Sequence, residues 1–125
     1  FTATTGNTFK IALYTSDATL GAGTTAYSTS NEITNSSGTA YTAGGATLTS
    51  VTPTSSSTTA LCDFSDVSYT SASFTANGAL IYNDSASGDP AVCAIAFGAD
   101  KTVTSGTFTI QFPAAAATTA IIRLA

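Results

Sequence analysis

NSSGTAYTAGGATLTSVTPTSSSTTALCDF, residues 35–64, decides whether this chain is one folded domain or two parts joined by a spacer. Ser, Thr and Gly dominate the stretch, and residues 55–58 are all polar. Leu48 and Val51 nevertheless stand between two polar gaps, residues 35–38 and 54–58, and gaps of that length are ordinary for hairpin loops. The stretch is therefore interpreted as two loops that flank a strand, and residues 1–125 are predicted to form a single domain.

The composition of the whole chain is that of a folded protein with an unusually neutral surface. Hydrophobic residues make up 43% and charged residues only 8%, whereas disordered chains deviate in the opposite direction. Thr and Ser supply 42 of the 125 positions, and β-branched Thr suits a pleated, half-exposed surface. Such a surface lacks the charges that commonly protect sheet edges. Coverage by partners in an assembly is one explanation, and the neutral coat of a secreted protein is the other.

The charge balance disfavours two classes of partner. Three basic residues, Lys10, Lys101 and Arg123, stand against seven acids, and the net charge is −4. Because the chain has no basic patch, we expect no nucleic-acid partner. Because it has no run of 18 apolar residues, we expect no membrane span.

Alternation of apolar and polar residues with a period of two recurs along the chain. The run Thr8–Tyr14 (TFKIALY) places Phe9, Ile11 and Leu13 on one face. Similar runs follow at residues 46–51, 59–64, 66–71, 72–76, 78–83, 91–98, 106–113 and 120–125, with Gly, Asn and Pro turn signals between them. This pattern predicts an all-β fold, an antiparallel β-sandwich of jelly-roll or Ig-like type with about eight strands.

Two of these segments carry more specific expectations. Residues 91–98 (AVCAIAFG) form a continuous run of small apolar residues, which is typical of a strand buried on both faces. Residues 113–120 (PAAAATTA) favour a helix by propensity but are short enough to form a single turn. The two cysteines, Cys62 and Cys93, alternate toward the core, so buried free thiols are favoured over a Cys62–Cys93 bridge, which needs a specific geometry.

The residue types present exclude the commonest catalytic sites. The chain has no His and no Trp, which removes Ser–His and Cys–His pairs and His-ligated zinc. It also lacks a phosphate-binding glycine loop. No catalytic residue, cofactor or metal is therefore predicted, apart from the acid pairs and tyrosines considered next.

Two pairs of aspartates are the remaining chemical candidates. Asp84 and Asp89, with their neighbours Asn83 and Ser85, could form a calcium loop of oxygen ligands, although a polar hairpin loop is the favoured interpretation. Asp63 and Asp66 could in principle act as paired carboxylates in glycoside chemistry, but caps of a turn between strands are favoured.

Tyrosine and lysine side chains offer two further candidate chemistries. The five tyrosines could line a carbohydrate platform, but ordinary packing with a wet hydroxyl is favoured for rings at strand ends; they are Tyr14, Tyr27, Tyr41, Tyr69 and Tyr82. Lys10 could form an isopeptide bond with an Asn or Asp on a neighbouring strand, but nothing in the closing strand supports that bond.

Five runs cover almost the whole chain and carry a family resemblance. They are FKIALYTSDATLGAGTTAYSTSNEI (9–33), YTAGGATLTSVTPT (41–54), DFSDVSYTSASFTANGALIYND (63–84), AIAFGADKTVTSGTFTIQFP (94–113) and AIIRLA (120–125). Over residues 8–124 the chain resembles short β-rich virion proteins of tailed bacteriophages. That family offers no catalytic or metal residues to carry over.

The resemblance implies a non-enzymatic structural subunit located in the virion and assembled in the host cytoplasm. The favoured role is a capsid decoration, or cement, protein that binds the major capsid protein and itself as a dimer or trimer. The first alternative is a tail or fibre component, such as a receptor-binding module that faces a host glycan. The second is an extracellular carbohydrate-binding module with calcium at Asp84 and Asp89.

Overall fold

The computed structural model describes residues 1–34 and 41–124 of the chain. Within these ranges the protein is all-β and contains no helix, and so no helix long and apolar enough to cross a membrane. The described residues form seven strands, where the sequence predicts about eight: β1 Phe9–Tyr14, β2 Ala46–Thr47, β3 Ser50–Ser56, β4 Thr59–Phe64, β5 Val67–Asn83, β6 Ala91–Ile110 and β7 Ile122–Leu124. They form two antiparallel sheets, of order β2-β1-β5-β6 and β3-β4-β7. The all-β prediction is confirmed.

β1 and the second half of β5 form the fully covered centre of the four-stranded sheet. The predicted face of β1, with Phe9, Ile11 and Leu13, lies in the main core, while Ala12 and Tyr14 on the opposite face lie in a second, smaller cluster with Leu80 and Tyr82 of β5. Both faces of the sheet are therefore covered here, although only one face of β1 is strongly apolar in sequence.

β5 and β6 are single long strands where the turn signals had predicted several short ones. The predicted runs 66–71, 72–76 and 78–83 merge into β5, and the runs 91–98 and 106–113 merge into β6. The turn residues lie at irregularities of the pairing. Between the pairs Gly78↔Ala96 and Ala76↔Lys101, for example, Asn77 alone faces residues 97–100. At this bulge Gly98 has φ +82° and Asn77 Nδ2 donates to Asp100 Oδ1 at 2.9 Å. Such bulges bend the paired strands without ending them.

Three further expectations need correction. The run 91–98 is not buried on both faces, because β6 is the outer strand of its sheet and every residue of this run is half-buried or exposed. The predicted loop 54–58 is largely the exposed strand β3, and the chain turns only after it, at Ser57 with φ +54°. The predicted strand 46–51 is divided, since β2 belongs to one sheet and β3 to the other. The predicted loop 35–38 lies outside the described residues.

The two sheets share one hydrophobic core. The ring of Phe64 in β4 lies 5.8 Å from that of Phe9 in β1 and 5.7 Å from that of Phe112, which follows β6. Burial of these rings joins the short three-stranded sheet to the longer one.

The segment 113–120 that leads to β7 is a turn and not a helix. The amides of Thr119 and Ala120 close it by donating to the carbonyl of Ala116, at 3.1 and 3.0 Å.

Candidate functional site

The calcium-loop candidate, Asp84 and Asp89, lies in the hairpin between β5 and β6. The Asp84 carboxylate pairs with the ammonium group of Lys10, with 3.2 Å between Oδ1 and Nζ. Asn83 Oδ1 accepts a hydrogen bond from the Ser85 amide at 3.0 Å. Asp89 takes a left-handed conformation, with φ +47°, and its amide closes a turn on the Ala86 carbonyl at 3.1 Å.

These contacts give the hairpin loop a structural role. Ser85 Oγ accepts from the Thr8 amide at 2.6 Å, and the Asp84 amide donates to the Thr8 carbonyl at 2.9 Å, so the loop is tied to the residue before β1. Within residues 1–34 and 41–124, no three His, Cys, Asp or Glu side chains are grouped closely enough to hold a metal ion. Because Lys10 and Asp84 are both partly solvent-exposed, their contact is an ordinary surface ion pair.

The second aspartate pair is occupied by backbone contacts at two separate places. Asp63, within β4, accepts from the Phe64 amide at 2.8 Å. Asp66, between β4 and β5, accepts from the Phe112 amide at 2.9 Å and so ties the start of β5 to the segment after β6. Asp66 thus acts as a cap between strands, as favoured, whereas Asp63 lies inside a strand.

The tyrosines do not form an exposed platform. Four of them, Tyr14, Tyr41, Tyr69 and Tyr82, are buried, and half-buried Tyr27 stacks on Tyr82 with 4.6 Å between ring centroids. Two of their hydroxyls bind backbone carbonyls of the protein. The hydroxyl of Tyr82 donates to the Gly44 carbonyl and that of Tyr14 to the Ser28 carbonyl, each at 2.7 Å. The favoured interpretation, ordinary packing, agrees with this arrangement more closely than a sugar-binding surface does.

Sequence reasoning missed the centre of the tyrosine cluster, which is Glu32. This side chain is only 7% exposed, and it accepts hydrogen bonds from Tyr27 at 2.6 Å, from the Gly44 amide at 2.7 Å and from Tyr41. The Tyr41 hydroxyl in turn accepts from the Leu13 amide of β1 at 3.0 Å. A single acid in a run of Thr, Ser and Asn gives no periodic signal, so the sequence offered no means of finding it.

The backbone beside Glu32 continues the edge of the four-stranded sheet. The amide of Thr15 donates to the carbonyl of Asn31, and the amide of Ile33 donates to that of Leu13, each at 2.9 Å. These bonds place the Glu32 carboxylate beside the end of β1, where it joins the segment after β1 to the Gly44 turn. We name Glu32, Tyr27, Tyr41 and Gly44 the Glu32 cluster.

Burial perturbs the acid–base behaviour of every tyrosine. Desolvation raises the pKa of Tyr69 and of Tyr82 to about 12, with the negative charges of nearby acids adding to the rise at both. The pKa values of Tyr27 and Tyr41 are also raised, first by burial and then by their hydrogen bonds to Glu32, and burial raises that of Tyr14. Four of these neutral hydroxyls donate hydrogen bonds, those of Tyr27 and Tyr41 to Glu32 and those of Tyr14 and Tyr82 to backbone carbonyls. Among the described residues, no acceptor lies within hydrogen-bond distance of the buried Tyr69 hydroxyl.

Both cysteines are free thiols and each is half-buried. Cys62 in β4 pairs with Ile122 of β7, whereas Cys93 in β6 pairs with Ile81 of β5, so the two lie in different sheets. The structure agrees with the prediction that both thiols are free, but not with the prediction that both side chains are buried. Burial raises the pKa of the Cys93 thiol, which lowers its reactivity at neutral pH.

An apolar concavity lies beside β6, lined by residues from both halves of the strand and from the segment after it; we call it the β6 groove. It encloses about 530 Å³. Its apolar lining consists of Ile95, Phe97, Phe108, Ile110, Phe112 and Ile121, and Lys101 also borders it. These side chains pack against the main core on one side and remain half-exposed on the other.

Comparison of the chain with protein-family models, with curated proteins and with solved structures found no match.

Proposed function

We propose that this chain is a non-enzymatic structural protein of a tailed-bacteriophage virion, and that it acts as a capsid decoration protein. In this role it binds between subunits of the major capsid protein, associates with copies of itself, and is located in the virion after assembly in the host cytoplasm. One observation carries the proposal: the half-exposed apolar face of β6, which borders the β6 groove on an otherwise neutral, Thr- and Ser-rich surface.

The internal use of the polar groups supports a structural role. The buried carboxylate of Glu32 binds tyrosine hydroxyls and an amide, and Asp66 and Asp84 fasten loops to strands. We also propose that the two sheets form a β-sandwich of jelly-roll or Ig-like type around their common core. A compact subunit of this kind gains its effect by multivalency, because many copies each bury a modest surface.

Counting copies in the particle tests the proposal. Purified virions that carry this chain are analysed by quantitative gel densitometry and by cryo-electron microscopy. A decoration protein is expected at roughly the copy number of the capsid subunit, with density over the head. A number in the tens at most, with density on the tail, would instead identify a tail or fibre component and contradict the decoration role.

Calcium and glycans distinguish the extracellular alternative. A carbohydrate-binding module with calcium at Asp84 and Asp89 should melt at a lower temperature after addition of a chelator and should respond to glycan titration. We expect neither effect, because the polar groups of that loop already bind Lys10, Thr8 and each other. An Asp84→Asn variant provides the control, since any calcium-dependent shift of the wild-type protein would have to disappear in it.

A further inference from the structure

β6 presents a long free edge whose protection consists mainly of the bulges in its pairing with β5. Only β5 pairs with it in the four-stranded sheet, and on its other side the described residues offer one bond, from the Ala91 amide to the Thr25 carbonyl at 2.9 Å. The strand is 20 residues long, contains no Pro, and carries just two charges, those of Asp100 and Lys101. Natural edge strands are commonly short, interrupted or charged, because an unprotected edge pairs with other chains.

The inner face of β6 is also incompletely covered. Ile95, Phe97, Phe108 and Ile110 contact the main core but remain half-exposed, whereas the equivalent side chains of β1, such as Ile11 and Leu13, are fully buried. β1 reaches full burial because strands lie on both of its sides. A strand placed beside β6 would cover its inner-face side chains in the same way, since residues opposite each other across a pair of strands lie about 5 Å apart.

We propose that β6 pairs antiparallel with β6 of a second copy of this chain, about a two-fold axis, so that two four-stranded sheets become one continuous sheet. A two-fold interface requires a surface that complements itself, and β6 meets this condition. Its two charges cancel, whereas the whole chain carries −4, so copies repel less along β6 than elsewhere. A two-fold axis perpendicular to the sheet also places the apolar inner faces of the two β6 strands on the same side of the continuous sheet. There, each copy covers part of the β6 groove of the other.

This inference rests on the proposed function, in which the chain associates with copies of itself. It specifies β6 as the surface of that association and a two-fold axis as its symmetry. The test uses the purified full chain, without virions. Analytical ultracentrifugation over a concentration series is expected to show a monomer–dimer equilibrium. An inward-pointing charge on the edge, Ile95→Lys, should weaken the dimer at least tenfold, because two lysines would enter the apolar seam. Val51→Lys, on the exposed edge strand β3, is the matched control and should leave the equilibrium unchanged.

Cross-linking provides a second measurement that does not depend on the stability of Ile95→Lys. In a Cys62→Ser, Cys93→Ser background, single cysteines are placed at exposed positions of β6 (Ala94, Ala96, Thr102, Thr104, Thr107 and Thr109) and, as a control, at Thr54 of β3. Disulfide-linked dimers should form only at the β6 positions nearest the axis. A monomer at all concentrations, a trimer, or cross-linking at Thr54 alone would overturn the β6 interface. None of these results would alter the copy number in virions, which tests the decoration role separately.

Discussion

At the scale of single residues, the Glu32 cluster concentrates the polar interactions that hold the segment after β1 in place. Glu32→Gln keeps the size of the side chain but replaces one carboxylate oxygen by an amide donor. If the amide nitrogen takes the place of Oε2, Tyr27 loses its acceptor; if it takes the place of Oε1, both Tyr41 and the Gly44 amide lose theirs. Since hydrogen bonds to charged groups are the strong ones, we expect a loss of about 1–3 kcal/mol in the free energy of unfolding, measured by urea denaturation.

A matched substitution separates this effect from the change in net charge. Asp17→Asn removes the same charge from an exposed side chain whose backbone carbonyl, and not its carboxylate, binds Asn31. Its effect on stability should stay within about 0.5 kcal/mol. Equal losses in the two variants would contradict the role given to Glu32.

The tyrosines make stability depend on pH in the alkaline range. Their folded-state pKa values lie above the unfolded value of 10.0, reaching about 12 at Tyr69 and Tyr82. Protonated hydroxyls are thus favoured by folding, so this contribution is fully present below pH 10 and is lost as the pH rises from there toward 12. Tyrosinate absorbance in the near ultraviolet should remain absent near pH 10 in the native protein and appear together with unfolding. Ionisation of one or more tyrosines near pH 10 in the folded chain would contradict this expectation.

At the scale of elements, the approach of the Gly44–Gly45 turn to β1 depends on a missing side chain. Gly45 has φ +84°, and a Cβ there would overlap the carbonyl oxygen of Ile11 and lie 2.8 Å from Ala12 Cα. Gly45→Ala should therefore displace β2 from β1. Gly98→Ala is the control, because its φ of +82° is nearly the same but no atom lies within 4 Å of the added carbon.

The control variant, Gly98→Ala, should lose about 1–2 kcal/mol in the free energy of unfolding, which is the cost of the left-handed conformation alone. We expect Gly45→Ala to lose clearly more, measured as the difference in urea midpoints, or to give no folded protein while Gly98→Ala still folds. Similar losses in the two variants would show that the contact with Ile11 does not constrain the turn.

Strands whose apolar–polar alternation matches their burial were predictable from the sequence. Features of a strand that depend on the strands beside it were not. The bounds of β4 follow from alternation alone, and those of β1 do so to within one residue, since the predicted strand began at Thr8 and β1 begins at Phe9. The joining of three runs into β5 was not predictable, because Ser71 and the Asn77–Gly78 pair resemble turns but lie at bulges. The outer position of β6 was equally hidden, since a run of small apolar residues suits a central strand and an unpaired edge alike.

The features of the candidate site also divide into those with a local sequence pattern and those that depend on distant segments. Turn chemistry favoured a polar hairpin loop around Asp84 but did not identify its partner, because Lys10 lies 74 positions away and only the pairing of β1 with β5 brings the two together. The Glu32 cluster and the β6 groove depend on several distant segments at once. Neither has a local pattern, so both became visible only in the fold.

At the scale of the whole molecule, the short three-stranded sheet is fastened to the longer sheet through aromatic rings. Phe64 of β4 contacts Phe9 of β1 and Phe112 after β6, and all three belong to the core that both sheets share. Because the described part of the chain gives neither sheet a separate core of comparable size, we predict that residues 1–125 unfold as one domain, in a single calorimetric transition whose calorimetric and van't Hoff enthalpies agree.

Phe64→Ala tests the coupling between the sheets. Removal of a buried ring should lower the free energy of unfolding by about 3–5 kcal/mol, through the loss of apolar burial and the cavity that remains. Val51→Ala truncates a side chain that is 39% exposed on the neighbouring strand β3, and should cost far less. If the sheets depend on each other, Phe64→Ala shifts one transition to lower temperature without splitting it. Two resolved transitions, in the wild-type protein or in this variant, would instead mean that the β3-β4-β7 sheet melts independently, and the single-domain prediction would be wrong.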